Sequence, residues 1–201
     1  EATYYASQPD KKIWLVGLSY DKADLMFREV WKNMVIGRAN DIDRASEKER
    51  FIKFKWGTTV EAKSADNPDS LVGEGLDLLV IDEAAKVKRR IWDMYLSPTL
   101  SDRKGKAIFI TTPEGFNFVY DLFLLGKEDD LWESHQAPSW DNHFAFPDGK
   151  RDSFLLERKR NMSKEVFDQE YGAKFTSFAG RVYDFDREID VGDFPYNTEL
   201  P

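Results

Sequence analysis

The stretch Ile13-Trp-Leu-Val-Gly17 is apolar without alternation, the pattern of a strand covered on both faces in a parallel sheet. Behind it Ala23, Met26, Phe27, Val30, Trp31 and Met34 recur at helical spacing, with Asp21 placed to cap the helix and Asp24 in its first turn. Two more unbroken apolar runs, Leu78–Ile81 and Ala107–Ile110, predict buried strands of the same kind. A Lys- and Arg-rich helix follows the first, reaching about Tyr95 before Pro98, and a helix over Asn117–Leu125 follows the second. Phe51–Lys55 and Thr58–Ala62 flank Trp56-Gly57 and predict a hairpin. Residues 1–7 read as the end of a helix closed by a turn at Pro9-Asp10, while the charged stretch Gly37–Arg50 and residues 64–75 read as connections.

Strand and helix thus alternate three times, which predicts an open α/β sheet with its functional residues at the carboxyl ends of the strands. Beyond residue 130 the character changes. Leu131–Gln136 reads as one more strand, and Arg151–Asn161 and Ser163–Tyr171 as two helices. The closing residues set the acids Asp184, Asp186, Glu188, Asp190, Asp193 and Glu199 against Arg181 and Arg187, the composition of a solvated linker.

Composition narrows the possible partners. In 201 residues, 41% are hydrophobic, enough for one core with a tail. The formal net charge of -8 offers no global attraction to nucleic acid or an anionic membrane, so any DNA contact must be local. The absence of cysteine excludes disulfides and thiolate zinc sites, and two histidines, His135 and His143, argue against a histidine-rich metal site. They read as hydrogen-bonded spectators. No apolar run approaches the roughly 18 residues of a membrane span. The start, Glu1-Ala-Thr-Tyr-Tyr-Ala6, lacks an initiating Met and the pattern of a signal peptide, and is not expected to be a natural N-terminus.

The sharpest chemical signal is Leu78-Leu-Val-Ile-Asp82-Glu83. A buried parallel strand would deliver Asp82 to the sheet edge, where it can support the water shell of a Mg²⁺ on nucleotide phosphates, and Glu83 can orient a water for in-line attack. The same hexapeptide also fits an Asp that caps the next helix beside a Glu that favours its positive end. One helix and one strand fit between Glu83 and Thr111, so Thr111-Thr112 should stand on a neighbouring strand end, where hydroxyls can sense a γ-phosphate. Taken alone, Thr-Thr-Pro113 is a strand exit.

Several strings together resemble the large terminase subunits of phages: Ser64–Asp77, Leu78–Ala85, Ile108–Gly115, Gln136–Asn142, Phe167–Phe175 and Gly180–Tyr183. The resemblance implies a P-loop NTPase fold, RecA-like and of the additional-strand, catalytic-glutamate class, with a mostly parallel sheet and a small helical lid. It implies an ATPase core over residues 1–145, truncated at its start, a lid over 146–178, and a linker over 179–201 toward a nuclease domain. Position by position, Asp82 matches the Mg²⁺-associated Walker B acid, Glu83 the catalytic glutamate, and Thr111 and Thr112 the motif that couples hydrolysis to DNA movement. The implied cofactors are ATP and Mg²⁺. The implied partners are double-stranded DNA, a portal protein, a small terminase subunit and further copies in a ring, in host cytoplasm with docking on the procapsid.

Three departures qualify this. No glycine-rich loop with Lys and Ser/Thr occurs in the chain, so the chain alone is expected to bind ATP poorly. The nuclease acids are absent. Some relatives carry an Arg just before the position of Gly73, proposed to act on a neighbouring subunit, where this chain has Val72. Lys86, Lys88, Arg89 and Arg90 are candidates for DNA contact, and Lys150, Arg151, Arg158, Lys159 and Arg160 mark the lid; either cluster also fits a solvated helix face. Trp140, Asp141 and Asn142 fit a turn with a packing role. The competing functions are a superfamily 2-type helicase and a non-catalytic module that keeps the nucleotide fold.

Overall fold

The computed structural model describes residues 1–36 and 38–177. Helix α1 (Ala2–Ala6) leads into β1 (Lys12–Gly17), α2 (Tyr20–Met34), β2 (Ile42–Ser46), β3 (Phe51–Phe54), β4 (Thr59–Ser64) and β5 (Leu78–Asp82). A helical run follows: α3 (Arg89–Ile91), a π turn (Trp92–Leu96) and α4 (Ser97–Thr99). Then come β6 (Lys106–Ile110), α5 (Phe118–Glu128), α6 (Ser153–Asn161) and α7 (Lys164–Glu170). The sheet order is β2-β3-β4-β1-β5-β6. Strands β4, β1, β5 and β6 are parallel, and β2 and β3 join antiparallel at one side.

The unbroken apolar runs divide by strand pleat into two cores. Ile13, Leu15, Leu78 and Val80 pack with Ala23, Phe27, Val30 and Met34 of α2. On the other face Trp14, Val16, Leu79 and Ile81 pack with Leu96 of the π turn and Phe118 and Val119 of α5. Burying each large side chain stabilises the fold by about 1.5–3 kcal/mol. Helices on both faces of a mostly parallel sheet are the expected α/β architecture.

Local departures from expectation have identifiable causes. Helix α2 is capped by Ser19, whose carbonyl accepts from Lys22 and Ala23 N–H, so Asp21 lies within the first turn. Gly17 permits this early start, because a Cβ there would lie 2.3 Å from the Ala23 nitrogen. Strand β2 arises in the stretch read as a connection. Its charged residues Asp43 and Arg44 are exposed, as an outer strand tolerates, and its pairing shifts between Ile42 and Arg44. The hairpin forms by β3 and β4, with Gly57 at φ +88 in the turn.

The basic helix is not continuous from Asp82. A 3₁₀ turn at Ala84–Lys86 comes first, Lys88 is extended, and the helical run then continues through Pro98 to Thr99. Proline has no N–H and its ring crowds the preceding turn; the wider π turn directly before it gives room for both. Residues 131–136 form no strand. They run back along α5 instead, with the Ser134 hydroxyl donating to the Phe123 carbonyl at 2.9 Å and the Gln136 amide donating to the Ala173 carbonyl. Helices α6 and α7 start on side-chain caps, Asp152 accepting from Phe154 N–H and Ser163 from Val166 N–H. The linker expected over 179–201 lies outside the described residues.

Candidate active site

Parallel pairing brings the carboxyl ends of β1, β5 and β6 to one edge of the sheet. Asp82 ends β5, and its Oδ1 accepts the Glu83 N–H at 3.0 Å. Its second carboxylate oxygen has no bond from another side chain among the described residues. One carboxylate so placed suits Mg²⁺, which is held through one or two acids together with substrate phosphates and water.

Glu83 has φ 52 and ψ 41, the left-handed region that a residue with a Cβ enters at a cost of about 1–2 kcal/mol. Such strain persists only where surrounding structure enforces it. Here the chain leaves the strand and drops at once into the 3₁₀ turn, with Ala84 fully buried beneath it. The Glu83 carboxylate remains partly exposed, 3.3 Å from Lys86 Nζ. Neighbouring acids therefore diverge, one at the strand end and the other on the turn.

The register sets Asp82 opposite Ile110, so Thr111 follows level with Glu83. The Thr111 hydroxyl donates to the Thr112 carbonyl at 2.8 Å and accepts from Ala85 N–H at 3.2 Å, so its one proton is committed. It therefore touches the turn that carries Glu83. The Thr112 hydroxyl is exposed and has no partner among the described residues. Pro113 is buried and ends the strand segment.

Asn117, which the sequence marks only as the start of a helix, has a second role. Its Oδ1 accepts from Val119 N–H at 3.0 Å, capping α5, while its Nδ2 donates to the Ala85 carbonyl at 3.0 Å and the Glu114 carbonyl at 3.1 Å. An Asn standing before an apolar helical run was a visible capping signal. The reach back to Ala85 was not visible, since it depends on how α5 packs beside the β5 turn.

The family described as "Terminase large subunit, T4likevirus-type, N-terminal" matches residues 4–188. The chain belongs to the terminase large-subunit family. A terminase large subunit of Thermus virus P23-45 is 30% identical, over 88% of this chain and 42% of that protein. The chain thus spans less than half the length of that curated relative. The ATPase domain of the Thermus phage P74-26 large terminase superposes with a TM-score of 0.74 at 28% identity, over 88% of this chain and 81% of the other. A large terminase from a thermophilic bacteriophage, solved in complex with ADP, shares the fold at 12% identity with a TM-score of 0.62, over 92% of this chain and 45% of the other. With these likenesses the α/β architecture is that of a P-loop NTPase.

Other residues singled out in this terminase chain fall in distinct places. Val72 is exposed on the loop before β5 and carries no charge. Of the first basic cluster, Lys86 pairs with Glu83, and Arg89 with both Asp93 at 3.3 Å and Asp121 at 3.0 Å. Arg90 Nε contacts the Met94 sulfur, and Lys88 has no ion pair among the described residues. In the second cluster Lys150 sits over the Trp140 ring and Arg158 over the Phe154 ring, while Arg151, Lys159 and Arg160 make no ion pair among the described residues. Trp140 stacks on Phe167, which stacks on Tyr171. Asn142 Oδ1 accepts from the N–H groups of Phe144 and Ala145, so this segment is a packed turn. His135 lies 3.0 Å from Glu133, and both are exposed.

Proposed function

We propose that this chain supplies the catalytic-acid and coupling edge of the ATP-hydrolysing site of a viral DNA-packaging motor, in which hydrolysis at the β5 edge by the full-length protein drives double-stranded DNA into a procapsid. The observation that carries the reading is Asp82 and Glu83 diverging at the end of a buried parallel strand, with Thr111 bonded to the turn that bears Glu83. Glu83 is the residue that orients the attacking water, and its position outside the strand line gives it room to face a γ-phosphate. Asp82 would hold Mg²⁺ through its unshared oxygen; the bound ion would neutralise charge developing on the phosphates. Thr112 offers the free hydroxyl for phosphate sensing, and Thr111 transmits through the Ala85 peptide.

The ADP complex of the terminase relative supports nucleotide as the ligand of this fold. Residues 1–145 serve as the ATPase core, 146–178 as a lid and 179–201 as a linker. The full-length protein also cleaves concatemeric DNA through a separate nuclease domain, and assembles as a ring on a portal protein with a small terminase subunit, in the host cytoplasm. DNA contact falls to basic groups that make no ion pair among the described residues, Lys88 and Arg90 before Arg89.

The test is ATP turnover by full-length protein carrying Glu83→Gln. Removing the water-orienting carboxylate should lower kcat at least about a hundredfold while nucleotide still binds. Unchanged turnover would overturn the assignment of Glu83, and strand separation by the wild type in place of packaging would favour a helicase.

A further inference from the structure

Two hydrogen bonds clamp the backbone of one residue, Ala85, in the turn after Glu83. Ala85 donates its N–H to Thr111 on the β6 exit, and its carbonyl accepts from Nδ2 of Asn117 at the head of α5. The Asn117 side-chain amide has one NH2 group and one carbonyl oxygen, and both are engaged. The amide bridges the Ala85 and Glu114 carbonyls, and the carbonyl caps α5 through Val119. Further along α5, Tyr120 and Phe123 receive the Phe175 ring at centroid distances of 5.0 and 5.2 Å. Phe175 lies a few residues beyond the end of α7, and the carbonyl of Tyr171, which caps that helix, accepts from Ser139 N–H. A rigid helix therefore has the Glu83 turn at one end and the segment leading out of the helical pair α6 and α7 along its side.

We propose that Asn117 is a positioning residue for Glu83 and the joint through which the catalytic turn and the lid move together. The inference rests on Glu83 being the catalytic acid. Glu83 occupies a strained backbone conformation that nothing intrinsic to its residue type favours, so its aim depends on the bonds holding the turn. Asn117 supplies one of the two side-chain bonds to the Ala85 backbone. Because it also caps α5, any shift of the turn must either move that helix or break the bond. Movement of α5 carries Phe175 with it.

Asparagine is required in this arrangement because one side chain must donate and accept. Aspartate would cap α5 equally well but offers no donor and places a charge against the Ala85 carbonyl. Serine would cap but is too short to bridge to Ala85. These two substitutions separate the joint from the cap.

The experiment is steady-state ATP hydrolysis by the full-length protein carrying Asn117→Asp or Asn117→Ser, alongside Glu83→Gln. Both Asn117 variants should lower kcat about tenfold, as loss of the donor bonds at this half-buried joint would, with KM for ATP unchanged. The Asn117→Asp deficit should also narrow as pH falls, because a protonated carboxyl can donate to Ala85 again. If both variants keep the wild-type kcat while Glu83→Gln abolishes turnover, Asn117 is only a helix cap and the inference fails. If Glu83→Gln retains turnover, the function reading fails first. Should Asn117→Asp lose stability through its charge, the neutral Asn117→Ser decides the question.

Discussion

Lys86 Nζ lies 3.3 Å from a carboxylate oxygen of Glu83, three residues earlier on the same 3₁₀ turn. Both side chains are substantially exposed, so the pair is screened and contributes little to stability. It does hold the carboxylate over the turn. Replacing Lys86 by Met should therefore alter kcat by no more than about threefold, consistent with a weak exposed pair. Hydrolysis assays across salt concentration check this: the wild type and Lys86→Met should converge at high salt.

The left-handed backbone at Glu83 separates stability from activity. Glycine reaches that conformation without the steric cost borne by a residue with a Cβ. Glu83→Gly should leave the fold as stable as wild type or raise its stability by about 1 kcal/mol, while hydrolysis is lost. Urea denaturation of the two proteins measures the first effect. A clear loss of stability would show that the Glu83 side chain, and no backbone demand, holds the turn.

Asp77 joins the amino ends of the central strands, at the edge opposite the site. It accepts from Lys11 Nζ at 3.1 Å, the Lys12 N–H at 2.9 Å and Arg103 Nη1 at 2.9 Å. Burial pushes its carboxyl pKa up, but the Lys12 N–H, the Lys11 ammonium and the Arg103 charge together outweigh burial and hold it below the ordinary carboxylate value. A depressed folded pKa means the stabilisation is complete above the unfolded-chain value of about 3.9 and disappears as pH falls through the folded value. Asp77→Asn should cost about 2 kcal/mol at neutral pH, with two cations left facing a neutral group. The gap from wild type should narrow below about pH 4, as denaturation curves at several pH values would record.

The helical pair α6 and α7 has a small aromatic core of its own, built from Trp140, Phe167, Tyr171 and Phe154. Trp140→Ala should destabilise that unit by about 3 kcal/mol while leaving the sheet intact. Hydrogen exchange would then show early loss of protection over 153–170, with the amides of β1 and β5 unchanged. Simultaneous loss in both regions would mean that the pair and the sheet unfold as one unit.

Strands β1 and β5 were legible because a strand covered on both faces has no polar positions. The apolar run Ala107–Ile110 marked β6 as a strand, but it is an outer strand of the described sheet and only partly buried, with Ile110 exposed, so the expectation of a buried strand there is corrected. The apolar runs alone gave an open α/β sheet; its P-loop NTPase class was implied by the resemblance of several strings to phage large terminases. Strand β2 escaped because an outer strand can expose Asp43 and Arg44 at no cost, so its pattern matches a loop. The π turn before Pro98 escaped because proline in sequence signals a stop, and only packing of Leu96 under the sheet keeps the helix going. At residues 131–136, apolar Leu131 and Trp132 suggested a strand, but Ser134 bonds to α5 and leaves no ladder to join. Asn117 was read as a helix start; its bond to Ala85 joins residues far apart in sequence, which local pattern does not encode.

Strand β6 pairs only with β5 among the described residues, and Ile110 at its end is half exposed. Its outer row of backbone N–H and C=O groups offers a template to any extended segment, including the same strand of another molecule. For a biochemist handling this 201-residue chain, that edge is where self-association would start at high concentration. A lysine in place of Ile110 would be the first change to make for solubility.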